Sequence, residues 1–348
     1  MEDAPVAGYE GKRIAVVGAG VVGVTTAVRA QQRLAGAEVA LLSEQVTPHT
    51  TGDGSAGLWE PYLLADTPPA LVQRWAVETY RHLLSLWRRP EAPELGVSLL
   101  PLVCVSQQPP GPPPPWAPHV LGFTPLHQHQ LDALSAEHGR RYTSGFSMVT
   151  LTAEPTRWLP SLLEEFRSRG GKLVHPYSVR DLRHLEREYD AVVNCAGLGA
   201  AKFVKDDDDP VFPIRGQVAR VYAPWIKHVF LEEFSGGNYV IPNIDSVVLG
   251  GTSQHRDWEC DVRPEDSEHV LGGCARLLPA LRSAPLLVQW AGLRPARRRV
   301  RLEAQRLPGS ALKVVHNYGH GGAGVTLSWG CAGHAVDLLQ QELTACKL

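Results

Sequence analysis

The sequence predicts a mixed α/β fold: a Rossmann-like domain assembled from discontinuous segments, with a second domain on a large mixed or antiparallel sheet. Three observations predict it. A β-branched run, Arg13 to Val17, leads into a glycine-rich turn and then a helix. Strand-like runs in the middle of the chain follow one another without intervening helices, as in antiparallel sheets. A β-α-β character returns only near the C-terminus, so the first domain is expected to close from separated pieces.

Composition allows this and excludes much else. The chain has 348 residues, 44% hydrophobic and 20% charged, enough to bury a substantial core. A net charge of −2 leaves no electrostatic footprint for nucleic acid. The uncharged apolar stretch Ile14 to Val28 is broken by Gly and Thr and is shorter than the roughly 20 residues of a membrane span. Glu2 and Asp3 replace the basic region of a secretory signal. No membrane or nucleic-acid partner is expected, and association into homo-oligomers is left open.

The elements follow in order. Arg13–Val17 reads as a buried strand, Val21–Leu34 as a helix and Glu38–Ser43 as a second strand. Leu71–Trp87 carries apolar residues at helical spacing. The proline-rich piece Pro109–Pro115 lacks N–H donors and is expected to be a stiff surface loop. Trp158–Arg169 is a helix stopped by Gly170-Gly171, with strand Lys172–Val174 behind it. Asp190–Asn194 is a buried strand, and Asp206–Asp209 reads as a solvated acidic tip. Gln217–Tyr222, Asn238–Ile241 and Ser246–Gly250 are strands of the second sheet; Leu312–His316 is a strand and Val336–Leu343 a helix.

The turn after the first strand carries chemistry. Gly18-Ala19-Gly20-Val21-Val22-Gly23 is G-x-G-x-x-G between a strand and a helix, the context that gives it meaning. Gly18 permits the tight turn, Gly20 lets a pyrophosphate approach, and Gly23 lets the helix pack closely. The helix N-terminus offers unpaired N–H groups to the phosphates. Glu44, at the end of the next strand, suits an adenosine ribose. These residues do not separate NAD from FAD.

Metal is not expected. The six cysteines contain no C-x-x-C pair and read as reduced thiols. His127-x-His129 and His316-x-x-x-His320 lack a third ligand. The C-terminal Cys346-Lys347-Leu348 resembles the small-basic-Leu address read by the peroxisomal import receptor.

Beyond the turn, the chain resembles the D-amino-acid oxidase and D-aspartate oxidase family. The resemblance rests on Arg13–Gly23, Gly57-Leu58-Trp59-Glu60-Pro61-Tyr62, Val193–Gly199 and Arg215-Gly216-Gln217-Val218. It continues in Gly292-Leu293-Arg294-Pro295 and His316–Thr326. It implies FAD, and an FAD domain from residues 1–60, 150–200 and 286–348 beside a substrate domain from 61–149 and 201–285. It implies oxidation of a D-amino acid to an imino acid by hydride transfer to the flavin, hydrolysis to a 2-oxo acid and ammonia, and reoxidation by O₂ to H₂O₂. That product strengthens the peroxisomal expectation.

The resemblance also assigns residues. Arg294 matches the arginine that binds the substrate carboxylate, and its planar fork suits a bidentate grip. Tyr239 matches a tyrosine bonding the same carboxylate, and Gly322 a backbone carbonyl receiving the amine. Thr50, Thr51, Asp53, Ala56, Gly57 and Leu58 match the segment crossing the flavin, and Val179 a residue on the adenine side. Gly321, Gly322, Gly324, Val325 and Thr326 match the closing flavin block. No acid or base is named, because the electronics belong to the cofactor. Arg297, Arg298, Arg299 and Arg301 are expected to be solvated.

The chain departs from both branches. D-Aspartate oxidases place two arginines against the substrate side chain; here those positions are Glu232 and Ser253. A glutamate facing inward would leave a side-chain carboxylate unpaired, at a cost of about 3–5 kcal/mol. The second lid tyrosine of D-amino-acid oxidases is replaced by Ser235, and the lid Phe230–Asn238 is short. The reading is therefore an oxidase of neutral or basic D-amino acids. The alternatives are a D-aspartate oxidase, a flavin-binding protein without turnover, and a nicotinamide dehydrogenase.

Overall fold

A computed structural model describes residues 5–205 and 208–344. The chain opens with β1 (Arg13–Val17), α1 (Val21–Arg33), β2 (Glu38–Leu42) and α2 (Pro69–Trp87). Next come β3 (Val97–Ser106), β4 (Leu121–Pro125), α3 (Gln128–His138), β5 (Ser144–Ala153), α4 (Pro155–Ser168), β6 (Lys172–Val174) and β7 (Ala191–Asn194). Five strands follow: β8 (Phe212–Val221), β9 (Val229–Glu232), β10 (Tyr239–Pro242), β11 (Val247–Gly250) and β12 (Gln254–His255). The chain closes with α5 (Pro264–Leu277), β13 (Leu286–Arg306), β14 (Lys313–His320) and α6 (Gly324–Thr344).

These strands form one sheet in the order β4-β5-β3-β9-β10-β11-β8-β13-β14-β7-β1-β2-β6, with β12 paired to β8. One end, β14-β7-β1-β2-β6, is parallel throughout. Its inner strands are buried on both faces, as Ile14–Val17 and Ala191–Asn194 show, so they read as unbroken apolar runs rather than alternating ones. The other end is antiparallel except for the β3–β9 pair.

Strand β13 is the seam. Its first half pairs with β8 and its second with β14, with a register shift between Ala296 and Arg301. That shift corrects the expectation of a solvated arginine run. Arg298 and Arg299 are exposed, but Arg297 and Arg301 are buried. Arg301 Nη1 donates to the Tyr318 hydroxyl at 3.0 Å and Nε to Glu303 at 2.7 Å. Arg297 Nε donates to the Asp209 carbonyl at 2.6 Å, so that end of the acidic run is anchored. Asp206 and Asp207 lie outside the described residues.

Helix α6 is far longer than the expected Val336–Leu343. Its glycines are contact points. A Cβ on Gly330 would lie 2.3 Å from the Trp75 carbonyl oxygen, so α2 and α6 pack backbone to backbone. Burial of most of the helix outweighs the low helix propensity of its glycines. Pro109–Pro115 carries no helix or strand and is mostly exposed. Among the described residues, no helix is long and apolar enough to cross a membrane.

Candidate active site and cofactor cradle

Strand β1 ends between parallel neighbours, so the glycine turn opens at the carboxyl edge of the sheet, where open α/β sheets take ligands. Gly18 has φ +103°, and a Cβ there would sit 2.5 Å from the Cys195 carbonyl oxygen. A Cβ on Gly23 would sit 1.7 Å from the Gly18 carbonyl oxygen, which locks α1 onto the turn. Gly20, the N-cap of α1, has nothing within 4 Å of a would-be Cβ and borders a cavity.

That cavity, of about 1880 Å³, extends from the turn to Arg294. Gly18, Ala19, Gly20, Val21 and Val22 line it, with Glu44 and Val179. So do Thr50, Thr51, Asp53, Ala56, Gly57 and Leu58, and across from them Gly321, Gly322, Gly324 and Val325. Gly23 and Thr326 do not line it, and Gly23 instead has the packing role read from the motif. Gly23 packs against Gly18, and the Thr326 hydroxyl donates to the Glu60 carbonyl at 2.9 Å while accepting its N–H at 3.1 Å. Asp53 is already engaged: it accepts from Thr47 Oγ1, Thr50 N and Thr50 Oγ1 at 2.6–2.8 Å, fixing its loop. Hydrogen bonds from Lys202 and Ser178 hold the Glu44 carboxyl below its usual range, so it is ionised and ready to accept.

The residues present fit a dinucleotide. Besides the glycine cradle, Asn317 Oδ1 and His320 Nε2 are buried without a partner, and both residues line the cavity. Burial drives His320 down to about 4, so its ring is neutral at physiological pH.

At the other end lies Arg294. Its Nη1 donates to the Thr252 carbonyl at 3.0 Å, and Tyr239 lines the same cavity. Among the described residues no carboxylate pairs with it. Its guanidinium lies over Gly216, where a Cβ would come within 2.2 Å of Nη1. Tyr62 packs against Gly322, and Ser253 lines the same cavity. Burial, partly offset by Arg294, raises both Tyr62 and Tyr239, so both hydroxyls keep their protons and can donate.

A family model described as FAD dependent oxidoreductase matches residues 13–338. The chain belongs to this family. It is 38% identical over 338 residues to D-aspartate oxidase of Homo sapiens, covering 96% of each. It is 34% identical to D-amino acid oxidase of Dugesia ryukyuensis, covering 96% of this chain and 99% of the relative. Among solved structures, glycine oxidase from Bacillus cereus superposes with a TM-score of 0.75 at 19% identity, covering 96% of each chain, and shares the fold. FAD is the cofactor of the family, and the cradle is where it would be held.

Within this FAD-dependent oxidoreductase, Glu232 does not play the expected part. It was expected to confront a substrate carboxylate. Instead its carboxylate accepts from Tyr142 Oη at 2.6 Å, Arg276 Nη2 at 2.9 Å and Asn238 N at 3.0 Å. Burial opposes its ionisation, but these donors prevail and hold it below the usual value. Glu232, Ser235 and Ser253 all line the cavity.

Sequence reasoning gave no role to Glu60, Tyr62, Glu233 or Gly216. Glu60 and Tyr62 carried a visible signal: polar groups in the otherwise apolar segment Gly57–Tyr62. Glu233 carried none, because its neighbour Glu232 is identical in type and faces other partners. Among the described residues no group of three His, Cys, Asp or Glu could hold a metal ion.

Proposed function

We propose that this chain oxidises D-amino acids with neutral or basic side chains to 2-oxo acids, ammonium and H₂O₂. The observation that carries the reading is Arg294, a guanidinium with no carboxylate partner among the described residues, in one cavity with the glycine cradle. Relatives named D-aspartate oxidase and D-amino acid oxidase support it.

Arg294 grips the substrate carboxylate, with the Tyr239 hydroxyl as a second donor. The Gly322 carbonyl accepts from the amine. With both ends held, the α-carbon has one orientation, and positioning of this kind supplies much of the rate. FAD, when bound, supplies the two-electron acceptor and returns the pair to O₂. In balance, the amino acid, O₂ and water give the 2-oxo acid, ammonium and H₂O₂. Neither tyrosine is required to change protonation state, and no protein base is assigned.

The D-aspartate reading is the second candidate, favoured by the human relative. Against it, neither Glu232 nor Ser253 supplies a cation for a second carboxylate. The test is anaerobic mixing of the holoprotein with both enantiomers of alanine, methionine, arginine and aspartate. Loss of the visible flavin band with D-enantiomers alone supports the proposal. D-Aspartate being best by more than about tenfold overturns the preference, and no bleaching with any of them overturns the function.

We further propose peroxisomal import through Cys346-Lys347-Leu348, which lie outside the described residues. The H₂O₂ product supports it. A fluorescent reporter ending in this tripeptide is expected in peroxisomes, and diffuse fluorescence would refute it.

A further inference from the structure

Two carboxylates, Glu60 and Glu233, line the same cavity as Arg294. They come from different parts of the fold: Glu60 from the segment after Leu58, Glu233 from the loop that follows β9. Cys104 on β3 links them in space. Its thiol contacts Glu233 Oε2 at 3.6 Å and feels the charge of both acids.

Neither glutamate has a cation. Among the described residues no Lys, Arg or His lies within salt-bridge distance of either carboxylate, whereas Glu232 next door has Arg276. Glu60 is half-buried and Glu233 exposed, and desolvation, with Glu233 beside it, pushes the Glu60 carboxyl well above its usual range. Such a pair disfavours its own ionisation and would be relieved by a positive group. Arg294 does not serve. Its Nη1 is directed at the Thr252 carbonyl, and among the described residues it forms no ion pair with either glutamate. One cavity therefore holds, with Tyr62 packed on Gly322, a guanidinium and two carboxyl groups that do not pair with it.

A ligand matching this layout has a carboxylate at one end and a positive group at the other. We infer that Glu60 and Glu233 form the side-chain subsite of this enzyme and select D-amino acids whose side chains end in an amino or guanidino group. This rests on the D-amino-acid oxidase reading and narrows its substrate class. The α-ammonium group is a rival occupant, but every amino acid carries it, so it cannot produce side-chain preference.

The test compares D-lysine with D-norleucine, which lacks only the terminal amine, on wild type, Glu60→Gln and Glu233→Gln holoenzyme. In wild type, kcat/KM is expected to favour D-lysine by roughly tenfold or more. Each variant should lower that ratio toward one. Equal losses on both substrates would place the carboxylates at the α-amine, and an unchanged ratio would remove them from the subsite; either overturns the proposal.

A binding arm works without turnover. ε-Aminocaproate and caproate have no α-amine to oxidise, and each is titrated against the holoprotein by perturbation of the flavin spectrum. Wild type is expected to bind ε-aminocaproate more tightly, with the contrast lost in both variants. Equal affinity in wild type refutes the subsite even if a variant fails to fold. A binding contrast without oxidation of any D-amino acid would refute the oxidase reading and leave the subsite standing.

Discussion

Arg276 Nη2 on α5 donates to Glu232 Oε2 at the end of β9 across 2.9 Å. The pair fastens a helix of the antiparallel end to the strand from which the cavity loop departs, and Tyr142 adds a third member. Burial and its bond to Glu232 push the Tyr142 hydroxyl well above its usual range, so it stays a donor throughout the working range.

Glu232→Gln is expected to lower stability by about 1–3 kcal/mol, because Arg276 and Tyr142 lose their anionic acceptor. The sign with pH is fixed. Glu232 titrates below its unfolded value in the fold, so its contribution is complete above that unfolded value and is lost as pH falls through the folded one. Denaturant midpoints of wild type and variant should converge in acid. A variant as stable as wild type at neutral pH would remove Glu232 from this structural role.

Arg294→Ala is expected to cost roughly 2–5 kcal/mol of transition-state binding, read from kcat/KM for the best D-amino acid. FAD content should be retained, since the guanidinium lies away from the glycine turn. Undiminished turnover would dismantle the proposed carboxylate anchor.

Gly216→Ala tests position rather than presence. A Cβ there meets Arg294 Nη1, Nη2 and Cζ at 2.2–2.4 Å, and the flexible side chain is what yields. The arginine remains but moves, so kcat/KM should fall while the thermal midpoint changes little. An unaltered kcat/KM would show that the fork tolerates displacement.

Gly20→Ala and Gly23→Ala should separate cofactor binding from folding. The methyl at position 20 meets no protein atom, so the apoprotein should keep its Tm while FAD binds less tightly. The methyl at position 23 strikes the Gly18 carbonyl, so the apoprotein itself should lose more than about 2 kcal/mol. Thermal scans of apoprotein and FAD titrations provide both readings, and similar behaviour of the two variants would refute the assignment.

Local pattern determined the nucleotide end. Ile14–Val17 and Ala191–Asn194 are apolar runs because parallel central strands are buried on both faces, and the glycine turn is contiguous in the chain. The substrate end was legible only in part. Arg294 and Tyr239 stand in recognisable blocks, but their approach to Gly216 and Gly250 depends on the pairing of β13 with β8 and of β10 with β11. Tertiary structure alone decided the rest. Glu232 and Glu233 are adjacent and chemically alike, yet one found Arg276 and the other did not. Arg297 and Arg301 look like surface charge until the register shift in β13 buries them against Asp209 and Tyr318. A side chain's charge is written in the sequence, but its partner comes from an element far away in the chain. Whether that charge is neutralised by the protein or left for a ligand is therefore settled only by packing.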